Sequence, residues 1–396
     1  MKKNSIPTLL SLLLPMFLTS PVRGETTPVS LPRTAEPSTT PIPASDRALV
    51  QVALLLDTSG SMKGLIDQAR CQLWNVVSEL ARSKRQESPI NLEIGVYQYG
   101  SRQLSAEDGF LRQVLRFTDN LDEVSAALFS LTTGGDKEYC GQVIGAAITD
   151  LEWSENPDVY KAVFIAGNES FDQGPVSFGE VLSPINGQSI ILNTIYCGTK
   201  EKADTQWRSA AGLTGGLFAK IDHNHHLPQM ETPFDEEMRY LNKRMNDTFV
   251  WYGSGAGEAA KNQRAQDENA QKMSDHAFAA RMSAKIGHLY HHVHHDLVDA
   301  IAHGKVDLAN MPDDKMPESL VKLSPAERIK FVEEKTRQRQ AVQRKMADVI
   351  TSRHRWLEEK MSESLEQPAD GSLVLGGALV KAIREQAQDK GYVFTN

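Results

Sequence analysis

Uninterrupted apolar runs alternate with stretches of helical periodicity from Ala48 onward. ALVQVALLLD and YKAVFIAG are apolar almost throughout, as strands are when helices cover both faces of a parallel sheet. Between them, LIDQARCQLWNVVSELARS carries apolar residues at helical spacing. Strands that alternate with helices in this way predict an α/β fold with a doubly wound, mostly parallel sheet. A ligand site is then expected at the carboxyl ends of the strands.

Further segments continue the alternation. The remaining predicted strands are INLEIGVYQYG, the short VLRFT, SIILNTIYCG and GLFAKID. The remaining predicted helices are LDEVSAALFSL, GQVIGAAITDLEW and TQWRSAAGLTG. After about residue 230 the strand pattern stops and helical patterns follow, so we place the α/β domain at 47–232 and a mainly helical region at 233–396.

The first residues resemble a targeting signal. Lys2 and Lys3 precede IPTLLSLLLPMFLTSP, an apolar run that is shorter than the ~20 residues a membrane span needs. We therefore expect a cleavable signal peptide, 1–24, cut near Gly24, rather than an uncleaved anchor. Residues 25–46 contain five prolines and five threonines, which predicts a linker. The expected location is secreted or periplasmic.

Charge restricts the partners. The chain carries a net charge of −8, and without residues 1–24 it has 40 basic and 51 acidic residues, a net charge of −11. Nucleic-acid binding favours a basic surface, so no nucleic-acid partner is expected. No later segment is apolar enough over a sufficient length to predict a membrane span in the mature chain.

Three cysteines are present, Cys71, Cys140 and Cys197. An oxidising compartment would permit one disulfide, and Cys140 with Cys197 is the pair we expect if one forms. Their wide spacing argues against a zinc cluster.

Two long helical patterns occupy the C-terminal region. MSDHAFAARMSAKIGHLYHHVHHDLVDAIAHG predicts one helix that ends at Gly304, and SPAERIKFVEEKTRQRQAVQRKMADVITSRHRWLEEKM predicts another. Together they indicate a helical hairpin or small bundle, with a solvated helical tail as the alternative.

Histidines form two clusters. The first contains His223, His225 and His226. In the second cluster, His288, His291, His292 and His295 would share one face if the segment were helical. That face could bind Zn²⁺, Ni²⁺ or Cu²⁺ or form a pH-sensitive patch. We favour unliganded histidines on a solvent-facing helix. The second cluster comprises His288, His291, His292, His294 and His295.

The segment VALLLDTSGSM ends the first apolar strand with Asp57, Ser59 and Ser61 at alternate positions. One carboxylate and two hydroxyls are hard oxygen donors, which suit Mg²⁺, Mn²⁺ or Ca²⁺. A hydrolase nucleophile elbow would need glycine where Asp57 stands. An aspartyl-phosphate enzyme usually has a second acid where Ser59 stands. A polar turn that merely caps the next helix is the remaining alternative.

DTSGS after an apolar strand resembles the metal-ion-dependent adhesion site of von Willebrand factor type A domains, and the resemblance covers about residues 48–230. It implies a cation bound by this loop, with a threonine from a second loop and an acid from a third. The segments GGDKEYCG, IAGNE, NTIYCG and DLVDA are similar to those of bacterial secreted proteins with such a domain and a helical C-terminal region.

The second and third loops depart from that family's pattern. The second loop reads TTGGD, with Asp136 after the two glycines, and Gly167 occupies the expected acid position in the third. Asp57, Asp136, Glu138 and Glu169 could place up to four carboxylates near one point, which a cation would neutralise. Asn168 could offer a neutral oxygen in place of Glu169, and Asp136 or Glu138 could instead cap the following helix. The metal ligands we predict are Asp57, Ser59, Ser61, Thr133, Asp136 and Glu169.

These features predict a divalent-cation-dependent binding protein, with Mg²⁺ the expected cation and Ca²⁺ or Mn²⁺ as alternatives. The resemblance implies that the partner is a protein or peptide that offers a carboxylate. We expect no enzymatic activity, since no nucleophile or general base is evident beside the loop. The alternatives are a metal-dependent envelope enzyme, an assembly chaperone, or a scaffold with a degenerate site.

Overall fold

The computed structural model describes residues 48–85, 88–222, 230–363 and 375–394. The described residues belong to one compact unit. The predicted signal peptide, the predicted linker and the histidine cluster at 223–226 lie outside the described residues. No helix within the described part combines the length and the apolar character needed to cross a lipid bilayer.

A sheet of eight strands lies at the centre of the described part, in the order β7-β6-β5-β1-β3-β2-β8, with β4 paired to β3. Strands β3, β1, β5, β6 and β7 are parallel neighbours, while β2, β4 and β8 pair antiparallel. The strands are β1 (Ala48–Asp57), β2 (Ser83–Arg85), β3 (Ser88–Tyr99), β4 (Leu111–Thr118), β5 (Tyr160–Gly167), β6 (Ile191–Tyr196), β7 (Phe218–Lys220) and β8 (Tyr392–Phe394). The predicted α/β fold class is confirmed.

Helices cover both faces of this sheet and continue beyond it. The first five are α1 (Lys63–Leu80), α2 (Leu121–Ser130), α3 (Cys140–Asp150), α4 (Phe178–Gly187) and α5 (Glu201–Gly212). The later ones are α6 (Asp235–Asn246), α7 (Ala256–Met273), α8 (Asp275–Lys285), α9 (Leu297–Ala302), α10 (Glu318–Val321), α11 (Pro325–Glu363) and α12 (Leu375–Gln388). The predicted second C-terminal helix is therefore present as α11.

Strand β1 shows why its sequence is apolar throughout. Leu54 and Leu56 point into a core formed with α1, α2 and α12, whereas Ala53 and Leu55 point into a core formed with α3, α4 and α5. Because both faces are covered, neither set of alternate residues meets water.

Helix α4 was not predicted, since its sequence contains two helix-breaking types, glycine and proline. A capping box between Ser177 and Glu180 begins it, and Phe178, Val181 and Ile185 are buried beneath it. Capping and burial thus outweigh the poor helix propensity of the segment.

The C-terminal segment returns to the sheet. The expectation that strands stop near residue 230 is wrong, because β8 pairs antiparallel with β2. Helix α12 precedes it and packs Leu375, Leu379 and Ile383 into the core that contains α1. These contacts join sequence positions some 300 residues apart, which local patterns do not reveal. The domain boundary at 232 stays a prediction.

The predicted single helix that ends at Gly304 is wrong. Helix α8 ends at Lys285, α9 begins at Leu297, and the intervening residues are irregular. The Asp296 carboxylate caps the start of α9 by accepting from the Asp299 amide. The second histidine cluster lies in the irregular stretch, so its members share no helix face.

No disulfide forms between Cys140 and Cys197, and all three thiols are free. The two residues belong to different cores on opposite faces of the sheet, which keeps their side chains apart.

Candidate metal site

Parallel strands bring three chain segments to one edge of the sheet. Asp57 ends β1, Gly100 follows β3, and Gly167 ends β5. Because these three strands are neighbours and run in the same direction, their carboxyl ends lie side by side. This is where the sequence predicted a site.

The DTSGS loop folds closely around Asp57. The Asp57 carboxylate Oδ1 accepts the Ser59 amide at 2.7 Å. The Ser59 backbone is extended, and a short 3₁₀ turn at Gly60–Met62 then leads into α1. The Ser59 and Ser61 hydroxyl oxygens lie 3.4 Å apart. Three of the predicted ligands are therefore brought together at this point.

Backbone hydrogen bonds hold the TTGGD loop against the first loop. The Gly134 amide donates to the Thr58 carbonyl at 2.8 Å, and the Gly60 amide donates to the Gly135 carbonyl at 3.0 Å. Gly135 has φ +105°, and a Cβ there would lie 2.3 Å from the backbone nitrogen of Arg102. This glycine is therefore required for the loop to pass so near the site. Thr133, partly buried, precedes it in the same loop.

Glu138 is the acid that the second loop turns inward. Glu138 is 3% exposed, and its backbone amide donates a hydrogen bond to Gln173 Oε1 at 2.6 Å. Its carboxyl is close enough to the Ser59 and Gln173 side chains for both to lower its pKa. A Cβ at Gly100 would lie 2.6 Å from Asp57 Oδ1 and 3.3 Å from Glu138 Cγ, so both side chains border the space that this glycine leaves open.

Asp136 and Glu169 instead form ion pairs at the rim. The Arg102 guanidinium donates to both Asp136 oxygens, at 2.8 and 2.6 Å. Lys200 Nζ donates to Glu169 Oε2 at 2.6 Å. The structure thus places these two predicted ligands near the site with their charges already neutralised. Their roles as ligands stay predictions.

The third loop has no room for an acid at position 167. A Cβ on Gly167 would lie 2.5 Å from the Tyr99 hydroxyl and 3.2 Å from Asp57 Oδ2. The next residue, Asn168, donates from Nδ2 to the Ser61 hydroxyl at 3.0 Å. The third loop therefore reaches the site through a neutral amide.

Three buried oxygen atoms at this edge have no hydrogen-bond partner among the described residues: Asp57 Oδ2, Glu138 Oε2 and Asn168 Oδ1. Burial raises the pKa of Asp57 to about 8, and the charge of Glu138 adds to the increase. The hydrogen bond from the Ser59 amide lowers this pKa but does not offset the effect of burial. Burial likewise raises the pKa of Glu138. Hard oxygen atoms that lack a partner fit a Mg²⁺ or Ca²⁺ ion.

Within the described residues, no group of three or more His, Cys, Asp and Glu side chains is arranged to hold a metal. A cation at this edge would therefore depend on the serine hydroxyls and Asn168 as much as on carboxylates. The same finding gives no support for a metal at the second histidine cluster, where His291 and His292 are buried.

Glu138 and Asn168 were not among the predicted ligands. The sequence placed Glu138 among the acids that could share one point and offered Asn168 as a neutral alternative to Glu169, but neither entered the predicted ligand set.

No protein-family model and no curated protein matches the chain. Solved structures similar to it include mussel byssus proximal thread matrix protein 1 with a zinc occupied MIDAS motif, at 13% identity and TM-score 0.33, covering 44% of this chain and 42% of that one. The von Willebrand factor type A structure from Catenulispora acidiphila gives 15% identity and TM-score 0.33, covering 44% and 39%. The chain thus spans about two fifths of the length of both.

The SpRpn10 VWA domain gives 14% identity and a TM-score of 0.31, covering 44% of this chain and 88% of that domain. Each match is to part of the chain, and the family stays a prediction from the sequence.

Proposed function

We propose that this protein binds a divalent cation at the carboxyl edge of β1, β3 and β5, and through it a protein or peptide partner. Asp57, Ser59 and Ser61 would hold the cation. When bound, the cation offers a coordination position to a carboxylate of the partner. Mg²⁺ is the cation we propose, and Ca²⁺ or Mn²⁺ would use the same oxygen donors.

The observation that carries this proposal is the set of unpartnered oxygens beside two serine hydroxyls. Asp57 is fully buried, yet its Oδ2 receives no hydrogen bond among the described residues. Buried polar atoms in folded proteins are nearly always paired, and buried charges are paired or coordinate metals. A cation would supply the missing partner.

We place the protein among binding proteins rather than enzymes. The hydrogen bonds described for Asp57, Ser59, Ser61 and Glu138 go to serine hydroxyls, main-chain amides and side-chain amides, and include no histidine. General-base activation of a serine usually requires such a partner. The resemblance of residues 1–24 to a cleavable signal peptide supports a secreted or periplasmic location.

Isothermal titration calorimetry with Mg²⁺, Mn²⁺ and Ca²⁺ tests the proposal on the wild type and on Asp57→Asn. The substitution keeps the side-chain volume and an acceptor for the Ser59 amide, but removes the charge. We expect the wild type to bind at least one cation and Asp57→Asn to bind it about tenfold more weakly or worse.

Asp108→Asn is the matched control, because Asp108 is an exposed acid in a different loop. It should bind the cation as the wild type does. A wild type that binds none of the three cations, or an Asp57→Asn variant that binds equally well, would contradict the proposal.

A further inference from the structure

We propose that Glu138 supplies the second carboxylate of the cation site, in the place that the family pattern gives to other residues of the second and third loops. This inference rests on the function proposed above. The sequence offers Glu138 as one of several acids near the loops, and the inference selects it over Asp136 and Glu169.

The first argument is position. Glu138 is 3% exposed and Asp57 is 0% exposed, so both carboxylates are inside the protein. Asp57 Oδ1 accepts the Ser59 amide at 2.7 Å, and the charge of Glu138 acts on Asp57. The missing side chain of Gly100 leaves the space that the two acids share, since a Cβ there would meet Asp57 Oδ1 and Glu138 Cγ. An ion in that space would therefore lie within reach of both acids.

The second argument is the lack of partners. Asp57 Oδ2 and Glu138 Oε2 are each buried without a hydrogen bond among the described residues. Two adjacent buried acids repel each other unless a cation lies near or a proton is taken up. Glu138 also fails to cap α3 with its side chain, because the helix has no side-chain cap. The groups that lower its pKa most are its own backbone and the neutral side chains of Ser59 and Gln173.

The third argument concerns the rival acids. Asp136 is bound by both donors of Arg102, and their side chains are 57% and 63% exposed. Glu169 is bound by Lys200 at the rim. To ligate an ion, either acid would have to leave a formed ion pair, whereas Glu138 already faces Asp57. Together with the Asn168 amide oxygen, Glu138 completes a set of hard oxygen donors.

The test compares three isosteric, charge-removing variants by calorimetry with Mg²⁺ and Mn²⁺: Glu138→Gln, Asp136→Asn and Glu169→Gln. If Glu138 is the ligand, Glu138→Gln should weaken cation affinity by about tenfold or more. Asp136→Asn and Glu169→Gln serve as matched controls at neighbouring acids and should stay within about twofold of the wild type.

Thermal unfolding separates a ligand from a residue that only supports the loop. In EDTA, Glu138→Gln should melt at or above the wild-type temperature, because a neutral amide replaces an acid whose charged form is disfavoured by burial. In saturating Mg²⁺ the order should reverse, since the wild type gains more from the cation. A purely structural carboxylate would lower the melting temperature in both buffers.

The outcomes are distinct. If the wild type binds no cation, the proposed function fails and this inference fails with it. If the wild type binds a cation and Glu138→Gln binds it equally well, only the inference fails. It also fails if Asp136→Asn or Glu169→Gln causes the larger loss, or if Glu138→Gln loses cooperative unfolding in EDTA. Weaker binding by Glu138→Gln alone, with the reversed melting order, supports it.

Discussion

Two groups of buried carboxylates in this protein have opposite environments. At the sheet edge, Asp57 and Glu138 each carry a buried oxygen without a partner. Between α2, α7 and α8, Asp122 and Asp267 are 1% and 6% exposed. They form ion pairs with the buried side chains of Arg281 and Lys285. Carboxylates that are similarly buried thus differ in whether they have hydrogen-bond and ion-pair partners.

Arg281 is the centre of the second group. It is fully buried and donates from Nε to Asp267 at 2.6 Å and from Nη1 to Asp122 at 2.8 Å. Lys285 Nζ adds bonds to both Asp267 oxygens, at 3.1 and 3.0 Å. Tyr290 donates to the other Asp122 oxygen at 2.8 Å. The carboxylates here have the partners that Asp57 lacks.

The pKa values follow from the partners. Burial by itself would raise the pKa of Asp267, but the charges of Lys285 and Arg281 lower it to about 2. The Arg281 charge likewise outweighs burial at Asp122 and holds its pKa well below the ordinary range. At Asp57 no cation opposes burial, and the pKa rises to about 8. We conclude that the chain itself completes the second group, whereas the first group leaves room for an external ion.

Because α2 leads directly into the TTGGD loop, the Asp122–Arg281 pair also ties the helical region to the element that positions that loop. The paired group thus contacts the helix that precedes the loop beside the unpaired group. Substitutions in each group should accordingly differ in size and in sign.

Arg281→Met should have the largest effect. It keeps an apolar side chain of similar length but leaves Asp122 and Asp267 buried without their shared cation. We expect the free energy of unfolding to fall by about 3–5 kcal/mol, measured by urea denaturation.

Arg337→Met is the matched control, because the side chains of its pair with Glu334 are 63% and 52% exposed. Its urea midpoint should not change measurably. Equal midpoints for Arg281→Met and Arg337→Met would remove the distinction drawn between buried and exposed pairs.

The pH dependence of Asp267 should give an intermediate effect. Its folded-state pKa is about 2 and its ordinary value is 3.8, so between these values the unfolded chain binds a proton that the folded chain does not. Its stabilising contribution is therefore present above about pH 4 and is lost as the pH falls toward 2. The advantage of the wild type over Asp267→Asn should shrink by about 2 kcal/mol over this range.

Urea denaturation of both proteins at several pH values from 6 downward measures that advantage. A difference that stays constant below pH 4 would show that Asp267 gains nothing from its cations.

Arg102→Gln should have the smallest effect. It breaks the exposed pair with Asp136 and leaves the buried acids untouched. We expect no measurable change in the urea midpoint, because water solvates Asp136 in place of the guanidinium. A clear loss of stability would show that the rim pairs support the site and would weaken the contrast between rim and interior.

Much of the fold was predictable because its signals are local. The apolar runs of β1 and β5 and the helical period of α1 depend on neighbours within a few residues, and each was assigned from the sequence. The DTSGS loop was assigned for the same reason, since its donors follow directly from the end of one strand.

Other features were not predictable because distant contacts decide them. The strand β8 exists only by pairing with β2, and the long histidine-rich helix is broken where His288 Nε2 approaches the Ile90 carbonyl at 3.2 Å. No local pattern contains either partner.

The sequence by itself determined the alternating α/β architecture and the edge of the sheet where Asp57, Ser59 and Ser61 lie, because side-chain period and strand direction are local properties. Only the tertiary structure decided which further acid faces them. Asp136 and Glu138 are two residues apart in one loop, yet one pairs with Arg102 in water and the other is buried beside Asp57. That choice depends on the turn at Gly135 and on packing around Gly100, where atoms from separate strands compete for the same space.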